Sequence, residues 1–295
     1  MTSSPTLVAS IPQAPGIRPR SRVRRHVLPG FGLTMGATLF YLALIVLLPV
    51  AALLLKTADA GWLRFWEVVS GPRAVASFKV TLTAAALATA FNAVYGLLMA
   101  WVLARYRFPG RRLLDALMDV PFALPTAVAG IALTALFAGN GWLGQFLEPA
   151  GIKVAYTILG VAAAMAFTSV PFVVRTVQPV IEDLKPEIEE TAATLGAYPW
   201  QVFARVIYPA LFPAHLAGCA MAFARSLGEF GAVIFIAGNL PFQTEISSLL
   251  IFIRLEEYDY PAAAAIATVM LAAAFLMLLT TNTIQAWRLR RVVKD

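Results

Sequence analysis

Ionisable residues are scarce in this chain, and two groups of them are placed where they could do work. The first is Arg225 and Glu229, in the stretch "RSLGEFGAVIFIAGN", within a run that is otherwise apolar from Leu211 to Ile236. A charged side chain at the centre of a membrane helix costs roughly 2.5–3.5 kcal/mol, so such residues are read as functional or paired. Lying four apart, Arg225 and Glu229 share a helical face and can neutralise one another. A bare arginine would suit an anion, but the adjacent carboxylate cancels that charge. The pair therefore reads as an interior brace of a pathway, able to re-pair as helices move, more than as an anion site. Ser226, Gly228 and Gly231 beside it permit close helix approach.

The second group is Glu187, Glu189 and Glu190, following Pro186 and preceding Gly196. Proline suits a first helical turn, and carboxylates there meet the positive end of the helix dipole. Gly196 is a natural C-terminal stop, and Pro199 can open the next helix. The pattern predicts a short, well-capped helix, then a turn and an amphipathic stretch. Alone, it is more often the pattern of a surface helix that ties two spans together.

The rest of the chain supplies the elements that hold these groups. Hydrophobic residues make up 60% of it and charged ones 13%, with a mean hydropathy of +0.76. Soluble domains carry about 25% charged residues, so this is the composition of a polytopic membrane protein. Six segments of about 20 or more apolar residues are expected to span a bilayer: 31–55, 80–104, 116–138, 154–176, 211–238 and 261–287. Backbone groups in lipid must be satisfied within a segment, and no strand-like alternation is present, so the spans are helices. The fold class is all-α, and six spans put both termini on one side. With the loops so assigned, sixteen Lys and Arg residues fall on the side of the termini and six on the other. That asymmetry places both termini in the cytoplasm. The initial arginines followed by an apolar run resemble a secretory signal, but residues 31–55 are long for one and are read as an uncleaved helix.

In the third span, "DVPFALPTAVAG", Pro121 and Pro125 each remove a backbone donor, so a kink or break is expected. Freed carbonyls in a membrane are tolerated against protein or a wet cavity. The bent helix either lines a pathway or is an ordinary kink packed among its neighbours. Thr126, Thr134, Thr168 and Ser169 could add hydroxyls to a pathway, although such groups commonly bond the backbone or a neighbouring helix. Between residues 239 and 260, Ile246, Leu249, Leu250, Phe252 and Ile253 recur at helical spacing, predicting a short helix dipping into the outer leaflet.

At the capped helix the sequence resembles the permease subunits of bacterial ATP-driven importers. Their pattern is Glu-Ala-Ala, three residues, Gly, nine residues, Ile, one residue, Leu-Pro. Glu190, Ala192, Gly196 and Pro209 match it, whereas Thr191, Val206 and Tyr208 depart from it. The resemblance implies a type I importer permease fold whose short coupling helix docks on a separate ATPase. On this sequence the docking role falls on Glu187, Glu190, Thr191, Ala192, Leu195, Gly196 and Pro209. "RSLGEFGAVIFIAGN", "TEISSLLIFIRLEEYDYPAAAAIA", "SVPFVVRTVQPVIEDL" and the proline-rich third span are similar to the T-type permeases of sulfate and thiosulfate importers, from about Val80 onward. The molybdate permeases share Gly-Glu-Phe-Gly, so a different oxyanion is the alternative. The partners this implies are a W-type second permease, two copies of a cytoplasmic ATPase and a periplasmic sulfate-binding protein. The location implied is the bacterial inner membrane. The organisation expected is a basic tail at 1–30, a first helix and periplasmic loop at 31–75, the importer domain at 76–287 and a tail at 288–295.

Other functions meet direct obstacles. None of the five lysines follows a glycine, so no phosphate loop is present and no ATP is hydrolysed by that route. His26 and His215, the two histidines, are far apart, and no Gly-x-Ser-x-Gly elbow occurs, which argues against a membrane protease or hydrolase. A single cysteine, Cys219, builds neither a disulfide nor a metal site, and no cofactor is expected. The basic residues flank apolar spans instead of forming one patch, which favours a lipid bilayer over nucleic acid. A secondary anion transporter is the physical rival. It would show paired broken helices in an inverted repeat, and the prolines cluster in span three and near residue 171 without an evident counterpart later in the chain.

Overall fold

The computed structural model describes residues 31–59 and 61–292, with side chains described through residue 287. The basic tail expected over 1–30 lies outside the described residues, as do residues 293–295. Among the described residues, those up to Pro49 form one unit and those from Val50 onward another. Eleven helices of about two turns or longer are found among the described residues: α1 (Phe31–Asp59), α2 (Trp62–Val69), α3 (Pro72–Arg105), α4 (Arg111–Ala123), α5 (Thr126–Phe137), α6 (Ile158–Asp183), α7 (Pro186–Thr194), α8 (Pro199–Leu227), α9 (Gly231–Ala237), α10 (Ser247–Glu256) and α11 (Tyr260–Val292). A single further turn covers Gly144–Leu147. Five helices, α1, α3, α6, α8 and α11, are long and apolar enough to cross a membrane, and α4 with α5 makes a sixth span if counted together.

Prolines account for several local departures from regular helix. A π turn covers Ala43–Leu47 just ahead of Pro49, and another covers Phe203–Ile207 just ahead of Pro209. Proline has no N–H to return to the carbonyl four residues back, so the ladder shifts register there, with the Tyr208 N–H reaching the Phe203 carbonyl.

Two expected spans are interrupted. Residues 116–138 do not form one kinked helix: α4 and α5 meet at 114° across Leu124 and Pro125. Pro125 makes this break as the residue capping α5, whereas Pro121 lies inside α4. Residues 211–238 are likewise not continuous, because α8 ends at Leu227 and α9 starts at Gly231. Arg175, at the end of the expected span 154–176, lies within α6, which continues to Asp183.

The centre of the second unit is α6, packed against α3 and α8. Small residues set the spacing. A Cβ on Gly96 of α3 would stand 2.8 Å from the Val173 side chain, and one on Gly218 of α8 would stand 3.0 Å from the Val173 Cα. Such close approach replaces the hydrophobic effect as the source of packing energy where the solvent is lipid. One buried cluster, including Ala84, Met165, Val233 and Ile236, surrounds the two breaks. Another, including Leu103, Val177, Ile181 and Leu211, leads toward α7.

Candidate functional site

The two interrupted spans meet at their interruptions. A Cβ on Gly231, the first residue of α9, would collide with the Thr126 hydroxyl, the first residue of α5. One turn into α5, a Cβ on Gly130 would stand 2.9 Å from the Ala232 Cα and closer still to its carbonyl oxygen. Backbone therefore lies on backbone, which any side chain at Gly130 would prevent.

Glu229 sits in the gap between α8 and α9 and is 1% exposed. One carboxylate oxygen accepts from the Ala232 N–H at 3.0 Å, capping α9, and the other lies 2.7 Å from Arg225 Nη1. Its carbonyl accepts from the Ser248 hydroxyl at 2.7 Å, tying the gap to α10. The ion pair expected from four-residue spacing is present, but Glu229 reaches it from beyond the end of α8, not from a further helical turn. Arg225 is about one-third exposed. Ser226 donates to the Ala222 carbonyl and to Ser169 Oγ, which also accepts from Asn92 Nδ2, so α8, α6 and α3 share a buried polar layer. Thr134 and Thr168 donate to their own helices' carbonyls. Thus Pro125, Thr126, Arg225, Ser226 and Glu229 belong to one region, with Pro121 one turn back along α4.

The docking candidates lie elsewhere, on α7 and at its C-terminal end, with Pro209 on α8. Pro186 occupies its first turn with Glu187 and Glu189, and Gly196 adopts φ +83° just past its end. The Gly196 N–H reaches the Ala193 carbonyl and the Ala197 N–H the Ala192 carbonyl, closing the helix as a left-handed glycine cap does. Ala192 and Ala197 pack against the cluster around Val202 and Leu211. Glu189 is hydrogen-bonded to Arg105 at the end of α3, whose guanidinium lies 5.4 Å from the Trp101 ring centroid. Glu187, Glu190, Thr191, Leu195 and Pro209 are exposed. The reading from sequence overlooked Ile188, Tyr198 and Trp200, which are exposed beside Leu195 and give this face an apolar character. Apolar residues at these positions read equally well as bundle-facing, so no local signal marked their exposure.

A second buried ion pair was also overlooked. Arg73, near the start of α3, donates to both oxygens of Glu245 at 2.9 and 2.7 Å, and Glu245 is 1% exposed. Nearby, Thr81 Oγ1 donates to Ser247 Oγ and accepts from the Ser247 N–H. A separation of 172 residues carries no local signal of such a pair.

This geometry of broken spans around a central helix, with a short capped helix at one end, is that of importer permeases. A bacterial alginate ABC transporter, solved with an alginate pentasaccharide-bound periplasmic protein, contains a chain that superposes with a TM-score of 0.72 at 17% identity, covering 93% of this chain and 99% of that one. The MetNI methionine ABC transporter in an inward-facing conformation gives 0.54 at 15% identity over 76% of this chain and 96% of that one. At such identities the likeness establishes the fold. Residues 92–294 match the family described as "Binding-protein-dependent transport system inner membrane component", and the chain belongs to that family of multi-pass inner-membrane proteins. The "Sulfate transport system permease protein CysT" of Escherichia coli (strain K12) is 61% identical over 269 residues, 91% of this chain and 97% of that protein. The protein of the same name from Synechocystis sp. is 48% identical over 258 residues, 88% of this chain and 90% of that protein.

Proposed function

We propose that this chain is the permease subunit of an ATP-driven importer that moves sulfate, and thiosulfate with it, from periplasm to cytoplasm. The observation that carries this reading is the 61% identity to the Escherichia coli sulfate permease over nearly all of that protein. The working complex joins the chain to a W-type second permease, two copies of a cytoplasmic ATPase and a periplasmic sulfate-binding protein. ATP hydrolysis belongs to the ATPase subunits. Both termini face the cytoplasm, as the sixteen-to-six distribution of basic residues supports.

In this reading α7 is the docking helix. It is held to the bundle through Ala192, Ala197 and the Arg105–Glu189 contact, while Ile188, Leu195, Tyr198 and Trp200 face outward. A push on α7 is then delivered to α3 and α8, and rigid-body rocking alternates access across the membrane. The breaks between α4 and α5 and between α8 and α9 lie along the route, with the Arg225–Glu229 pair bracing the second.

Sulfate uptake in cells lacking the chain, restored by the wild-type gene and challenged with molybdate, tests the substrate. Restoration resisted by excess sulfate and thiosulfate but not by molybdate is expected; the reverse pattern would reassign the cargo. Deleting residues 187–196 is expected to leave the chain inserted and abolish uptake, with reduced ATPase retention.

A further inference from the structure

The chain carries an anion-attracting recess that the transport reading does not use. Between α3 and α4 the sequence "RYRFPGRR" turns within a few residues, Gly110 adopting φ +89° to make the turn possible. Arg107, Arg111, Arg112, Phe108 and Asp115 surround a recess of about 500 Å³. Its one carboxylate is already committed, since Asp115 accepts from Arg175 Nη1 at 2.6 Å. Arg111 makes only a long approach of 3.7 Å to Glu182. Among the described residues, no hydrogen bond or ion pair engages the side chain of Arg107 or Arg112. The recess thus has an excess of positive charge and at least two guanidinium groups with unused donors.

What surrounds it identifies the kind of anion. Tyr106 and Phe108 are exposed in the same turn, and Leu113 and Leu117 are exposed on the first two turns of α4. Aromatic rings beside arginines, followed at once by exposed leucines, mark the membrane–water boundary. Further along α4, Leu117, Met118 and Pro121 join Phe91 and Tyr95 of α3 and Phe167 of α6 in lining an apolar groove of about 670 Å³. Leu117 is six residues from Arg111, about 9 Å along the axis, and Met118, seven residues on, shares its face. A soluble anion would use the recess and leave the groove without purpose. A molecule with an anionic head and an apolar chain would use both.

We propose that this is a binding site for an anionic phospholipid, its phosphate held by Arg107 and Arg112 with Arg111, and an acyl chain laid along α4 into the groove. Charge complementarity calls for an anion, and the apolar groove further along α4 favours such a lipid over a soluble phosphate. The site joins α4, one arm of the proline break, to α3, so its occupancy stabilises the angle between them. The inference requires membrane insertion but not the identity of the cargo.

The test uses the assembled importer, delipidated in detergent and returned to phosphatidylcholine vesicles with or without phosphatidylglycerol. Retained phosphatidylglycerol is counted by mass spectrometry, and melting temperature is followed in parallel. The wild type is expected to retain phosphatidylglycerol and to melt higher in its presence. Each basic residue near a membrane surface contributes about fivefold to binding of anionic lipid, so the double variant Arg107→Gln/Arg112→Gln should retain roughly 25-fold less. Its melting temperature in pure phosphatidylcholine should match the wild type, since neither side chain supports an internal contact. Leu117→Trp, which fills the groove and leaves the recess, should also lower retention. Equal retention by the double variant and the wild type would overturn the proposal. Protection by inorganic phosphate or sulfate as strong as that by phosphatidylglycerol would overturn it in favour of a soluble-anion site. Loss of ATPase copurification with lipid retention intact would do so in favour of a protein contact.

Discussion

The two broken spans are interrupted by different chemistry. Between α4 and α5 the chain turns through 114° because Pro125, at φ −55° and ψ 130°, stands where a helix would need an N–H and a helical ψ. No charge is involved. Between α8 and α9 no proline is present; Gly228 and Gly231 flank Glu229, whose carboxylate caps the new helix and pairs with the old one through Arg225. A proline break is written into the backbone and cannot be undone by a partner. A glycine break held by an ion pair depends on that pair, and so can respond when neighbouring helices move. In the transport cycle proposed above, the first is a fixed corner and the second a joint.

Mutations that separate fixed corner from joint should follow in descending order. Arg225→Ala leaves Glu229 buried without its partner and should cost about 3 kcal/mol, at the lower end for such pairs because Arg225 is partly exposed. Thermal unfolding in detergent would measure it. Replacing both residues with leucine should recover most of the stability yet impair uptake, and full uptake by that double variant would show that the joint has no transport role. Gly130→Val forces a side chain into the Ala232 backbone and should cost about 1–3 kcal/mol, testing whether the two breaks depend on each other. Gly196→Ala, remote from both, meets no neighbouring atom but must hold φ +83°, for a cost of roughly 1–2 kcal/mol read by the same melts. Pro125→Ala should have the smallest effect on stability, about 0.4–1 kcal/mol through the unfolded chain, because alanine can adopt the same φ −55° and ψ 130° and α5 stays packed on α9 at the corner. A much larger loss would mean that proline alone maintains it.

Some of this was legible residue by residue. Pro186, the glutamates after it and Gly196 announced α7 because capping is a local matter: proline geometry, dipole and left-handed glycine are all settled within ten residues. The pairing of Arg225 with Glu229 was legible from spacing and from the cost of leaving either alone in an apolar run. The interruption at Gly228–Phe230 was not. Residues 211–238 are apolar enough to read as one helix, and two glycines alone do not stop one. The helix stops there because Gly231 must approach Thr126 and because Ala232 N–H finds the Glu229 carboxylate, both consequences of packing. Arg73 with Glu245, and the apolar exposure of Tyr198 and Trp200, were hidden for the same reason.

By itself, the amino-acid sequence determined that the chain is a multi-span helical membrane protein, which segments are apolar enough to cross a bilayer and where the short capped helix begins and ends. These depend on hydropathy summed over about 20 residues and on capping within one turn, both local quantities. Tertiary structure alone decided that two spans are interrupted, that their interruptions face each other, and which charges meet across more than a hundred residues. Those outcomes follow from how closely small residues let helices approach, and no single segment contains that information.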